Sequence, residues 1–324
     1  MRYNNARVKR SCNQGGQHAG KGKHYVIGDV HGCYEDFFLP KEKIEKRDPE
    51  ATIILTGDFL DRGPEVWEML GWAMEHIRPG GKYQSVLGNY EEMVLEWYRE
   101  WRLWYQSDHQ KQEPTTYYDF DMVMRSHDAL TPEKLEPVME FLGKLPFRIE
   151  VEMDNGVKFD IVHASDTFEV TVNEEERRER NLWWRSHDVN RQKDIIIVHE
   201  HTPTVSGLYQ YMDSDRRHRG MIGYMRNDIN VDGGCFVGKN DPQKLPYPCM
   251  LCAICLETLE EIYLRTLEEQ FARQNGISEK EAEKMAEEYR SQWETVENPH
   301  LQNMKELLKN GFQQQKVYED LFFG

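Results

Sequence analysis

Five short apolar runs constrain this chain more than any other feature, because each ends in side chains that bind metals or phosphate. Residues 24–27 lead into Gly28-Asp29-Val30-His31-Gly32, residues 52–55 into Gly57-Asp58, and residues 83–87 into Gly88-Asn89. Residues 159–162 lead into His163, and residues 195–198 into His199-Glu200-His201. Runs of β-branched residues bounded by glycine and polar residues read as buried strands. Ligands of α/β sheets collect where such strands end. Two aspartates, an asparagine and several histidines, far apart in sequence, are therefore expected at one point. Carboxylate and amide oxygens mixed with imidazoles suit Mn, Fe or Zn better than Ca or Mg. The pattern predicts a transition-metal site with two ions.

The 324 residues can bury one large core or two small ones. A charged fraction of 30% keeps the chain in water, and no apolar run approaches a membrane span. The formal net charge of -16 argues against nonspecific nucleic-acid or membrane binding, since both need a basic surface. The first residues lack the apolar core of a secretion signal. The six cysteines have no disulfide-framework spacing, so a reducing cytoplasm is the expected location. Cys249, Cys252 and Cys255 are spaced along an apolar strand and read as buried structural thiols. An iron–sulfur cluster needs four thiolates.

Taken in order, residues 1–23 are basic and glycine-rich and read as a flexible arm. A helix is expected over 35–46 and another from Pro64 to about His76. This alternation with strands suggests βαβ units. Residues 90–108 form a long helical pattern with Trp97, Trp101, Trp104 and Tyr105 on one face. That stripe reads as the core of a helical insertion over about 91–145. An aromatic wall beside the cleft is the competing reading. A hairpin is expected around Asp154-Asn155-Gly156, and residues 202–230 read as a loop. The charged run 174–180 reads as a solvated helix face. The tail from 265 to 324 is polar and helical, with Leu301, Met304, Leu307 and Leu308 available to pack.

Gly28-Asp29-Val30-His31-Gly32, Gly57-Asp58-Phe59-Leu60-Asp61-Arg62-Gly63, Gly88-Asn89-Tyr90-Glu91, Val162-His163-Ala164-Ser165 and His199-Glu200-His201-Thr202-Pro203 occur in this order, each after a strand. In this combination the chain resembles the phosphoprotein phosphatase (PPP) family of calcineurin-like metallophosphoesterases, and most of all its bacterial and bacteriophage members. The resemblance covers residues 24–264 and implies an α/β sandwich of two mixed β-sheets flanked by helices. It implies that Asp29 and His31 hold a first metal ion and that Asp58 bridges both ions. Asn89, His163 and His201 would complete the second site, with His199 the less favoured ligand. The implied cofactors are two divalent ions, Mn above Fe or Zn. Arg62 and Arg185, the latter from Leu182-Trp183-Trp184-Arg185, would bind phosphate, because a guanidinium pairs two oxygens at once. Asp232 would orient a ligand from behind.

The implied activity is hydrolysis of phosphomonoesters, on a phosphorylated protein or a small phosphoester, by in-line attack of a metal-bridging hydroxide. Two departures qualify it. Glu200 stands where the family usually has glycine and adds negative charge beside the metals. Tyr90 stands where the family has a histidine, which pairs with the aspartate matching Asp61 and protonates the leaving oxygen. Tyrosine is a weaker acid than imidazolium. A dinucleoside polyphosphate hydrolase, whose leaving group needs little protonation, is therefore the alternative enzyme. A pseudophosphatase that binds phosphorylated partners is the alternative of another class.

Overall fold

The computed structural model describes residues 6–8, 22–107, 113–114, 120–165, 173–185, 195–206, 219–225, 227–240, 245–293 and 298–311. Its strands are β1 (Ala6–Val8), β2 (His24–Ile27), β3 (Thr52–Leu55), β4 (Tyr83–Ser85), β5 (Arg148–Glu152), β6 (Lys158–Val162), β7 (Ile195–His199), β8 (Gly223–Met225), β9 (Asp228–Asn230), β10 (Cys252–Cys255) and β11 (Glu261–Tyr263). They form two mixed sheets, ordered β11-β10-β2-β3-β4 and β1-β5-β6-β7-β9-β8. In the first, β2, β3 and β4 are parallel. In the second, β6, β7 and β9 are parallel.

The alternation of side chains along each strand explains why the sheets stack. In β2, Tyr25 and Ile27 face the helices while Val26 faces the other sheet, and in β3 Ile53 and Leu55 oppose Ile54 in the same way. A strand has a side-chain period of two, so a run apolar at every position is stable only with both faces covered. Phe159, Ile161, Ile196 and Val198 supply the opposing wall of the inter-sheet core. The outer face of the first sheet is covered by α1 (Tyr34–Arg47), α2 (Val66–His76), α3 (Asn89–Gln106), α4 (Phe120–Ser126) and α5 (Pro132–Leu142). Pro132 sits in the first turn of α5, where its missing N–H costs nothing.

The tryptophan stripe of α3 belongs to this helical layer. Trp97 and Trp101 are buried, Trp97 meets the Phe120 ring edge-on at 5.8 Å, and Trp101 stacks on Tyr105 at 5.0 Å. It is core and does not line the cleft described below. The hairpin around Asp154-Asn155-Gly156 joins β5 to β6 in antiparallel register.

Three short elements depart from the sequence reading. Ala6–Val8, inside the basic arm, pair in parallel with Ile149 to Val151 at the sheet edge. Residues 1–5 and 9–21 of the arm lie outside the described residues, as do most of the loop around Arg216 and the last residues of the tail. β8 arises within residues read as loop, because Gly-Tyr-Met is too short to show a period. A helix, Cys235–Asn240, follows Asp232-Gly233-Gly234. In the tail, Phe271 packs with Ala282, Ala286 and Tyr289 between two helices, Leu267–Asn275 and Glu279–Trp293. The helix Pro299–Asn310 places Met304 and Leu307 in the inter-sheet cluster. Among the described residues no helix is long and apolar enough to cross a membrane. Cys249, Cys252 and Cys255 are buried thiols.

Candidate metal centre

The carboxyl ends of β2, β3 and β4 in one sheet and of β6 and β7 in the other open onto the same point. There Asp29, His31, Asp58, Asn89, His163 and His201 come together, all buried. His31 Nε2 lies 3.5 Å from Asp29 Oδ2 and 3.7 Å from Asp58 Oδ2. His163 Nε2 lies 3.4 Å from the same Asp58 oxygen, 2.7 Å from Asn89 Oδ1 and 3.1 Å from His201 Nδ1. Asp58 is therefore common to two groups of candidate ligand atoms, one with Asp29 and His31 and one with His163 and His201. A third group joins Asp29 and His163 to Glu200. His199 is in none of the three.

The backbone is bent to aim these side chains. His31, Asp58, Asp61, Arg62 and His201 all have positive φ, between 42° and 74°. Left-handed backbone is disfavoured for residues with a Cβ, at about 1–3 kcal/mol each, and such strain gathers at functional sites. Glu91 holds the loop after β3 in that shape. It is fully buried, and its carboxylate accepts N–H groups from Asp58 at 2.8 Å, Leu60 at 3.1 Å and Gly88 at 2.9 Å. The Tyr90 N–H in turn donates to Asp58 Oδ1 at 2.9 Å. Gly88 is required by proximity, since a Cβ there would stand 2.2 Å from Asp58 Oδ1.

The cleft over this cluster is bordered by Arg62, Arg185, Tyr90 and Phe236. The Arg62 guanidinium lies 4.5 Å from the centre of the Tyr90 ring and 5.2 Å from that of Phe236, and its Nε–H donates to the Tyr90 hydroxyl. Arg185 donates to the His201 carbonyl at 2.9 Å and to Thr202 Oγ1 at 3.1 Å. Trp183, nearly half exposed, meets the His201 ring edge-on at 6.3 Å. Asp61 is buried, and its Oδ1 accepts the Arg62 N–H at 2.9 Å.

The charges of the cluster call for a cation. Asp29, Asp58, Glu200 and Asp232 are four buried carboxylates. Burial first, and then the charge of Asp29, pushes Glu200 and Asp232 well above the usual carboxylate range. Burial alone would lower His31, but Asp29 and then Asp58 outweigh it and push the ring up to about 9. Burial, helped by His163 and Arg185, pushes His201 down to about 2. Asp29 Oδ1, Glu200 Oε2 and Asp232 Oδ2 are buried and meet no hydrogen-bond donor. Orphaned buried carboxyl oxygens beside a neutral imidazole fit divalent cations, and the set of oxygens and nitrogens is one that transition metals accept.

Three contributors carried little signal in the sequence. Glu91 lies three residues after Gly88, the spacing of a helix-capping carboxylate, and that spacing points to its role. Phe236 arrives from the short helix Cys235–Asn240 and Trp183 from the end of another helix, where no periodicity marks them.

Two mixed sheets with carboxylates, an amide and imidazoles gathered at their strand ends define a metal-dependent phosphoesterase. Residues 23–231 match the family described as calcineurin-like phosphoesterase. The chain belongs to that family, a class of hydrolases acting on phosphoesters. A symmetrical bis(5'-nucleosyl)-tetraphosphatase of Chromobacterium violaceum is 37% identical over 71 residues, which are 22% of this chain and 24% of that protein. The same-named protein of Cronobacter sakazakii is 38% identical over 72 residues, again 22% and 24% of the two chains. The chain thus spans about a quarter of the length of the curated relatives it matches. A metallophosphoesterase structure from Sphaerobacter thermophilus has 14% identity and a TM-score of 0.44, covering 82% of this chain and 98% of that one. A cold-active protein-tyrosine phosphatase of a psychrophilic Shewanella has 19% identity and a TM-score of 0.41, covering 76% and 81%.

Proposed function

We propose that the chain is a two-metal phosphohydrolase whose substrate carries a good leaving group, best met by the phosphoanhydride of a dinucleoside polyphosphate. The observation that carries this reading is the engagement of Tyr90 by Arg62. Among the described residues lining the cleft, the imidazoles are those of His31 and His201, both candidate ligands. What stands at the family's acid position is a phenol, with an ordinary pKa of about 10, and its oxygen is committed to a guanidinium. A nucleoside phosphate departs as an anion whose conjugate acid has a pKa of about 6. The alkoxide of a phosphoserine needs a proton, and supplying one is worth about 10²–10⁴-fold in rate. The curated relatives named for tetraphosphate hydrolysis support the same substrate class, over the quarter of their length that they share.

In this reading Asp29, His31 and Asp58 would hold one divalent ion, and Asp58, Asn89, His163 and His201 the other, with Mn the ion we assign. When bound, such ions supply a water of lowered pKa and offset charge on the phosphoryl oxygens. Arg62 and Arg185 would grip the equatorial oxygens of the reacting phosphate from two sides of the cleft, each as a planar fork. Tyr90 would hold Arg62 at the angle this needs, and Asp61, through the Arg62 N–H, would fix the turn that presents it.

The deciding experiment is a Mn-supplemented panel of diadenosine tetraphosphate, an aryl phosphate and a phosphoserine peptide, run with and without chelator. The proposal expects the tetraphosphate to be hydrolysed fastest and the phosphopeptide slowest. A phosphopeptide rate equal to or above the tetraphosphate rate would restore the phosphoprotein phosphatase reading. Binding of phosphopeptide with no hydrolysis of any of the three would indicate a pseudophosphatase.

A further inference from the structure

Glu200 stands where the family pattern has glycine, and its side chain is buried to within 1%. Its Oε1 lies 2.9 Å from Nδ1 of His163, and the Thr56 carbonyl lies 3.1 Å from the same nitrogen. The ring's other nitrogen, Nε2, faces Asn89 Oδ1 at 2.7 Å, His201 Nδ1 at 3.1 Å and Asp58 Oδ2 at 3.4 Å. Two acceptors at Nδ1 assign the proton to that atom and leave the Nε2 lone pair aimed at the other ligands. The carbonyl alone would orient the ring. What Glu200 adds is a second acceptor and, with a cation in the cluster, a carboxylate charge. Its Oε2 meets no donor, and its carboxylate offers one oxygen within 4.8 Å of ligand atoms of Asp29 and His163.

We propose that Glu200 is a positioning residue of the metal centre: it fixes His163 with Nε2 as the ligating atom and strengthens that nitrogen as a donor. The ion held by His163 is then bound more tightly here than in a relative with glycine at this position. A carboxylate behind a ligating histidine acts in this way, and removing it weakens metal binding by about 10–100-fold. The inference rests on the two-metal reading above.

The test is a Mn titration of the metal-stripped full chain by calorimetry, on wild type, Glu200→Gln and Glu200→Gly. Glutamine keeps the volume and an acceptor oxygen but loses the charge, and glycine loses both. The wild type is expected to bind two ions. One phase of the titration should weaken by about tenfold in the glutamine variant and by up to about 100-fold in the glycine variant, the other phase holding. In the zinc-loaded proteins, ¹⁵N–¹H spectra of the histidine rings should show His163 protonated at Nδ1 in wild type, with its ¹⁵N shifts moved in both variants. Unchanged affinities and shifts would overturn the inference, as would equal weakening of both phases, which would mean that Glu200 acts as a diffuse charge and not through His163. If glycine prevents folding, the isosteric glutamine variant decides the matter alone. Wild type that takes up no Mn would overturn the two-metal reading itself.

Discussion

The Nε–H of Arg62 points at the hydroxyl of Tyr90, and the guanidinium carbon stands 4.5 Å from the centre of the same ring. Arg62 reaches this position because its backbone is left-handed, at φ 64°, and Tyr90 reaches it from the first turn of α3. In the proposed reading, one residue thus occupies the place of a proton donor and serves as the seat of the cation that would bind phosphate.

Two substitutions separate these roles. Tyr90→His should raise the rate on an alkyl phosphate relative to an aryl phosphate, by up to about 10²-fold, since general acid catalysis is worth at least that. Tyr90→Phe keeps the ring but not the hydroxyl and should raise KM with little change in kcat, because Arg62 loses its anchor. Steady-state kinetics on both ester types reads the outcome. An unchanged alkyl-to-aryl ratio in Tyr90→His would show that the leaving group departs elsewhere.

Glu91 accepts three backbone N–H groups in a fully buried setting. Glu91→Ala would leave those donors without an acceptor, at about 1–3 kcal/mol each. Partial relaxation brings the expected loss of unfolding free energy to roughly 3–5 kcal/mol, with loss of metal affinity as Asp58 drifts. Denaturant unfolding of the metal-free chain measures the first. A loss under about 1 kcal/mol would mean that the loop keeps its shape without the carboxylate.

The metal-free protein should show opposite pH trends in stability and in metal affinity. His31 is raised from an ordinary 6.5 to about 9, so its proton favours the folded state. That stabilisation, on the order of 3 kcal/mol, is complete below about pH 6.5 and fades as pH rises through 9. A metal must displace the same proton, so affinity should rise by up to about tenfold per pH unit until 9 and then level off. Mn titrations and melting curves at a series of pH values check both. Affinity that is flat from pH 6.5 to 9 would remove His31 from the ligand set.

Chelation should lower the melting temperature, because Asp29, Asp58, Glu200 and Asp232 then face one another with no cation between them. Restoring Mn at about 100 times its dissociation constant should return about 2.7 kcal/mol per ion by mass action. A melting temperature indifferent to both EDTA and Mn would count against any resident ion.

Much of the centre is legible in one dimension. The ligand types are written at the ends of apolar runs, and a strand's period of two shows which runs are covered on both faces. The phases of Tyr25, Val26 and Ile27 are enough to call for a layer on each side. The tryptophans of α3 show helical spacing but not what they touch, and the helical layer received them because Phe120 is there to pack against. β8 and the helix Cys235–Asn240 are too short for a period to appear, so the approach of Phe236 to Arg62 had no forerunner.

By itself, the order of residues determined the candidate donor set, the stacked sheets and the phenol at position 90. Only tertiary structure decided that Tyr90 meets Arg62, that Glu91 braces Asp58 and that Glu200 turns inward to His163. Those contacts join different strand ends, and His163 and Glu200 each sit one residue past the ends of neighbouring parallel strands, β6 and β7. Which atoms meet there depends on strand register and on how the two sheets seat against each other. A local pattern of apolar and polar residues specifies the face on which a side chain lies, and the packing of distant segments specifies its neighbour.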